Sequence, residues 1–99
     1  MAFNGNEGKV ISPATAKKFI GKYQKSSHFR RMKKIRGGFF GKKKLLKILN
    51  QKDCVGIRYF HAHNKSGRHT LVLVGEHKAG KPITRMYLDD GPLCPPYCN

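Results

Sequence analysis

Residues 54–74 read CVGIRYFHAHNKSGRHTLVLV. Within Cys54–His63, the apolar Val55, Ile57 and Tyr59 alternate with Gly56, Arg58 and Phe60. That period of two predicts a strand. Asn64-Lys65-Ser66-Gly67 supplies turn residues and predicts a hairpin. Leu71-Val72-Leu73-Val74 is a continuous apolar run, the pattern of a strand buried on both faces. Lys78-Ala79-Gly80-Lys81-Pro82 marks a second turn and Ile83–Leu88 a third strand, closed by Asp89-Asp90-Gly91-Pro92. Short connections place consecutive strands side by side. The simplest arrangement is a three-stranded antiparallel meander with the apolar strand in the middle.

The residues before this meander follow a helical period. Ser12-Pro13 is a helix start, with Ser as the capping oxygen and Pro in the first turn. Ala16, Phe19, Ile20 and Tyr23 then make one stripe, predicting a helix over 13–25 with Lys17, Lys18, Gly21 and Lys22 toward water. In 26–38, Phe29, Met32 and Ile35 recur every third residue, but five cations crowd them, and Gly37-Gly38 ends whatever forms. Lys42–Gln51 is a second amphipathic helix, with Leu45, Leu46, Ile48 and Leu49 opposite Lys42, Lys43, Lys44 and Lys47. Helices followed by strands indicate an α+β fold: two N-terminal helices, with room for a third in 26–38, packed on one face of the meander. The expected organisation is a flexible entry over 1–11, one domain over 12–92 and a Pro/Cys tail over 93–99.

A chain of 99 residues is one domain's worth. Its formal charge of +16 is unevenly spread. Residues 1–50 carry 14 Lys/Arg and a single acid, Glu7, whereas residues 51–99 carry 7 Lys/Arg and four acids. A basic half joined to a nearly balanced one indicates a face built for negative charge, as in RNA, DNA, an anionic membrane surface or an acidic protein. The alternative is a cationic surface kept for solubility. No signal-peptide pattern is present and no apolar run approaches about 20 residues, so no membrane span is expected and the cytoplasm is the default location.

The densest functional signal is the acid-free stretch with Lys25, Arg30, Arg31, Lys33, Lys34, Arg36, Lys42, Lys43, Lys44 and Lys47. Phosphates attract such a cluster through counterion release, with Arg able to grip a phosphate through two hydrogen bonds. Alternation along the strands adds a second candidate surface. If Val55, Ile57 and Tyr59 face the helices, then Arg58 and Phe60 face away, joined by Arg85 and Tyr87 of the third strand. Exposed aromatic rings with Arg can stack unpaired bases; ordinary cross-strand packing, or a face covered by the tail, is the plainer account.

His61 and His63 share a strand face, and His69 begins the next strand across the turn. With Arg58, Tyr59 and Lys65 they form a candidate site for metal-independent RNA cleavage, with one imidazole as base, another as acid and Arg58 on the phosphate. Satisfied surface histidines are the plainer account. No carboxylate pair, nucleophile elbow or phosphate-binding glycine loop is present. Cys94 and Cys98 flank Pro95-Pro96-Tyr97. They are weak zinc candidates, needing further ligands such as His61, His63 or His77; a Cys94–Cys98 disulfide and a stiff tail lying on the domain are alternatives. Cys54 reads as a buried small hydrophobe, and the odd cysteine count points, weakly, to a reducing compartment.

Five blocks occur in order: Phe39-Phe40-Gly41-Lys42, Ile48-Leu49-Asn50-Gln51, Cys54-Val55-Gly56-Ile57-Arg58-Tyr59, Leu71-Val72-Leu73-Val74-Gly75 and Cys94-Pro95-Pro96-Tyr97-Cys98. In these the chain resembles, over residues 11–98, a family of small bacterial proteins with a Cys-x-Gly-Ile-Arg strand, a Leu-Val-Leu-Val-Gly strand and a terminal Cys-Pro-Pro-x-Cys. The resemblance implies a bacterial source and makes Arg58 and the cysteine tail family features; it implies no activity. The chain departs from that family in charge, since members are often nearly neutral or acidic.

The leading expectation is a nucleic-acid-binding accessory protein, with RNA slightly preferred over DNA and no cofactor. A small toxin-like ribonuclease using His61, His63 or His69 is the alternative from enzymology. A module docking an acidic protein partner is the third.

Overall fold

Ser12 starts the first helix as its sequence requires. Its Oγ accepts the Thr15 N–H at 3.1 Å and donates to Thr15 Oγ1 at 2.9 Å, and Pro13 occupies the first turn of α1 (Pro13–Gln24). In this computed structural model residues 2–89 and 93–96 are described. Ser26 repeats the capping device for α2 (Ser27–Arg31), accepting from the Phe29 N–H at 3.2 Å. This short helix is what the crowded 26–38 stretch forms. It ends in a left-handed cap: Lys34 N–H donates to Phe29 O at 3.0 Å, Lys33 N–H to Arg30 O at 3.1 Å, and both lysines have positive φ, 56° and 59°. The pattern is a Schellman closure, which usually places Gly where Lys33 stands.

The chain then runs into β1 (Gly37–Gly38) and α3 (Lys42–Leu49), and on to the sheet strands β2 (Cys54–His63), β3 (His69–His77) and β4 (Pro82–Leu88); β5 (Leu93–Cys94) is the last element among the described residues. The main sheet is antiparallel in the order β2-β3-β4, the expected meander. Asn64 organises its first turn by accepting from Ser66 N, Ser66 Oγ and Arg68 N at 3.0, 2.8 and 3.0 Å, and Gly67 takes the positive φ of 80° that the turn needs. β3 extends beyond the apolar run at both ends, because its backbone is paired from His69 opposite His63 to His77 opposite Cys54. A second, two-stranded sheet joins distant parts of the chain. Gly37 pairs with Cys94 and Gly38 with Leu93, and Arg36 N–H donates to Cys94 O at 2.6 Å. The start of the tail therefore lies on the domain as a strand.

The register sorts the sheet into two faces. Ile57, Tyr59, His61 and His63 stand opposite Gly75, Leu73, Leu71 and His69 on one face. Gly56, Arg58, Phe60 and Ala62 stand opposite Glu76, Val74, Val72 and Thr70 on the other. α3 packs against β2, β3 and β4 on the first face, where Gly75 permits the approach. A Cβ there would lie 2.9 Å from Gln51 Nε2, 3.1 Å from Cys54 Sγ and 3.3 Å from Ile48 Cγ2. Ile48 is fully buried; Ile35, Leu73 and, on the other sheet face, Val74 are the further buried hydrophobic residues among those described. α1 packs on α2. Its stripe stays half open, with Phe19 and Ile20 exposed, while Tyr23 turns inward to donate its hydroxyl to Ile35 O at 2.9 Å and to meet the Phe29 ring edge-on at 5.3 Å.

Within the N-terminal segment expected to be a flexible entry, residues 3–7 make contacts, whereas Val10 is 98% exposed. The Glu7 carboxylate accepts from Asn4 N and Gly5 N, both at 2.9 Å, Phe3 N–H donates to Lys78 O at 3.2 Å, and Arg58 lies 5.9 Å from the centre of the Phe3 ring. Among the described residues no helix is long and apolar enough to cross a membrane.

Candidate nucleic-acid interface

The ten cations of the acid-free stretch are spread over successive local structures. Lys25 caps the C-terminus of α1, and Arg30 and Arg31 form the last turn of α2. Lys33 and Lys34 are the left-handed pair that follows. Arg36 precedes β1, while Lys42, Lys43, Lys44 and Lys47 lie on α3. All ten are exposed. The ion pairs among the described residues involve none of them: Glu76 binds Arg58, and Asp53 lies 3.6 Å from His77 and 3.5 Å from Lys78. The start of α3 is electrostatically unfavourable in isolation. Its first turn holds three lysines and no acid, and Gly41 supplies no side-chain cap, so cations crowd the positive end of the helix dipole.

Of these ten, Arg36 lines a cavity of about 640 Å³ between the α1–α2 corner, the 35–40 segment and the end of the β2–β3 hairpin. Its walls are aromatic and aliphatic, including Tyr23, Phe39, Phe40 and Tyr59. Phe39 and Tyr59 are 64% and 59% exposed, so two large aromatic residues stay open where burial would have been favourable. Arg36, His28, His61 and His69 line the same cavity.

The histidines meet as their spacing predicts. His61 Nδ1 lies 3.2 Å from His69 Nε2, and their rings stack with centroids 5.1 Å apart. His63 meets His69 edge-on at 6.3 Å, and Tyr59 meets His61 edge-on at 5.7 Å. His28 of α2 and the following Met32 line one cleft with His61, His63 and His69. Burial, first, and then the neighbouring His61, His63 and His28 hold the His69 imidazole below its ordinary value of 6.5.

Arg58 does not join them. It stands three positions before His61, an odd offset, so strand alternation turns it to the opposite face, where its Nε and Nη2 donate to the two Glu76 carboxylate oxygens at 2.8 and 2.7 Å. The hydrogen bonds from Arg58 hold the Glu76 carboxyl below its ordinary 4.5 against the opposing effect of burial. The same carboxylate raises Arg58. Phe60 and Tyr87 lie on that outer face and are exposed. The register of β4 shifts between Ile83 and Tyr87, and Arg85 lines a separate cleft with Lys52, Asp53 and His77. The four residues expected to form one stacking surface are therefore divided: Phe60 and Tyr87 remain available, Arg58 is held by Glu76, and Arg85 lies elsewhere.

Cys94 is in a disulfide, so its sulfur offers no thiolate to a metal; Cys98 lies outside the described residues. Cys54 is a free thiol, half-buried, and donates to Gly56 O at 3.2 Å. The described residues contain no group of three or more His, Cys, Asp or Glu side chains arranged to hold a metal ion.

Two parts of this arrangement were not foreseen from the sequence. His28 sits in a polar, cation-rich stretch with no pattern that ties it to the strands. Arg36 reaches the cavity because β1 pairs with β5, a contact between the middle and the end of the chain. Compared with known protein families, with curated proteins and with solved structures, the chain matches none.

Proposed function

We propose that the protein is a nucleic-acid-binding module that holds phosphates with the surface running from Lys25 to Lys47. The observation that carries this reading is that ten exposed cations lack any ion-pair partner among the described residues. A solvated structural face usually mixes both signs of charge. The lysine-rich start of α3 supports the same reading, since a bound anion relieves a repulsion that the fold leaves uncompensated. RNA is preferred slightly over DNA, and an acidic protein partner is the competing occupant.

The test is affinity for a short RNA and for a DNA duplex across a salt series. If four to six phosphates are neutralised, log affinity falls against log salt with a slope of roughly −3 to −5. Changing Arg30, Arg31, Lys33 and Lys34 to Glu is expected to abolish binding without unfolding the chain. Unchanged affinity in that variant overturns the reading.

One observation favours a second reading, a metal-independent ribonuclease: His61, His63 and His69 converge beside a cavity that Arg36 also lines. A neutral imidazole would take the 2′-hydroxyl proton, the 2′-oxygen would attack the adjacent phosphorus, and the P–O5′ bond would break as a protonated imidazole gives its proton to the 5′-oxygen. The products are a 2′,3′-cyclic phosphate and a 5′-hydroxyl. Arg36 takes the phosphate-holding place that Arg58 cannot. A labelled RNA left intact by the wild-type protein removes this reading; cleavage lost in both His61→Ala and His69→Ala supports it.

A further inference from the structure

We propose that the aromatic cavity receives one unpaired base of a single-stranded nucleic acid. The inference rests on the polyanion reading above and names the form of ligand that this surface selects. The cavity volume, about 640 Å³, lies within the range of small-molecule sites, roughly 300–1,000 Å³.

The lining chemistry matches a base. Phe39 and Tyr59 line the cavity and are each more than half exposed, and stacking on aromatic rings is a general, sequence-tolerant way to hold a base. With both rings neutral, the contact between His61 Nδ1 and His69 Nε2 uses one donor and one acceptor and leaves one of each on His61 Nε2 and His69 Nδ1. A base edge carries the same mixture.

The surroundings match the phosphates on either side of such a base. Arg36 lines the cavity itself, and α2 brings His28 to its wall while carrying Arg30 and Arg31. A neutral apolar ligand would use the rings and leave these cations unmatched. A duplex would match the cations and leave the rings unused, because its bases are already stacked and paired. A single strand uses both.

The test compares three probes at fixed salt: a short oligodeoxyadenylate, an abasic deoxyribose-phosphate strand of the same length, and a duplex of that length. The base-bearing single strand is expected to bind roughly tenfold more tightly than the abasic strand, the size of one base–aromatic stack. Tyr59→Leu and Phe39→Leu should each reduce that advantage and leave abasic affinity unchanged. Both positions are more than half exposed, and Phe39 lies outside every helix and strand, so at least one variant is expected to fold as the wild type does. Equal affinity for base-bearing and abasic strands, or a duplex bound as tightly as the single strand, overturns the base site and leaves the phosphate surface standing. Failure of all three probes to bind overturns both.

Discussion

His61 Nδ1 and His69 Nε2 lie 3.2 Å apart, so one nitrogen must donate while the other accepts. Protonating both rings would set two N–H groups against each other. His69 is depressed below 6.5 by burial and then by His61, His63 and His28. Between its folded value and 6.5 the unfolded chain binds more protons than the folded one, so this group lowers stability as pH falls through 6.5 and adds no further loss below the folded value. A phosphate bound beside the pair works the other way, because its charge favours the imidazolium. Affinity for a single-stranded oligonucleotide is therefore expected to rise several-fold from about pH 7.5 to about pH 5.5. Titration at constant salt, repeated with His61→Phe, checks this; a flat profile would place the histidines outside the field of the bound strand.

Lys43→Glu is expected to separate stability from binding. An acid in the first turn of α3 complements the helix dipole and dilutes the repulsion between Lys42 and Lys44. The change should stabilise the fold by about 0.3–1 kcal/mol. It also reverses one charge of the proposed surface, so oligonucleotide affinity should fall and the salt dependence become shallower. Urea unfolding and a salt series on the same variant read the two effects. A less stable variant would contradict the dipole argument.

The sheet was legible because β2 alternates and β3 is apolar where it is central. Its full length was not, since His69, Thr70 and Gly75–His77 become strand through pairing and not through composition. Charge was equally plain, being a count along the chain. Parity also contained a correction: Arg58 and His61 lie an odd number of residues apart on one strand, which forbids a shared face. The cavity was out of reach. Its walls bring together Tyr23 of α1, His28 of α2 and Gly37-Gly38, which pairs with Leu93-Cys94 far along the sequence. An amphipathic stripe shows which side of a helix is apolar, not whether anything covers it.

Glu76→Gln tests the assignment of Arg58 to the fold. Glu76 is 4% exposed, and both its oxygens accept from Arg58. Its folded pKa is depressed, so its contribution to stability is present above about pH 4.5 and is lost as pH falls through the lower folded value. The variant should be less stable at neutral pH, and the gap to wild type should narrow as wild type is acidified through that window. Oligonucleotide affinity should not change, because Arg58 lies on the face away from the histidines. Reduced affinity at unchanged stability would return Arg58 to the binding surface.

Lys33→Gly addresses the strained end of α2. Lys33 has φ 56° and donates its N–H to Arg30 O in the closing turn. A left-handed conformation costs a residue with a Cβ about 1–2 kcal/mol. Glycine removes that cost but gives the unfolded chain more freedom, worth about 0.5–1 kcal/mol. The net expectation is a gain of about 0.5–1 kcal/mol in unfolding free energy, read from denaturant midpoints at constant slope. The same change deletes one exposed cation. If Lys33 neutralises a phosphate, the slope of log affinity against log salt becomes shallower by about one. A steeper or unchanged slope would remove Lys33 from the interface while leaving its structural role intact. A loss of stability would instead show that the lysine side chain supports the turn. The two lysines at φ 56° and 59° are then the test of whether this chain tolerates backbone strain to present charge: strain relieved together with weakened binding is the signature of that exchange.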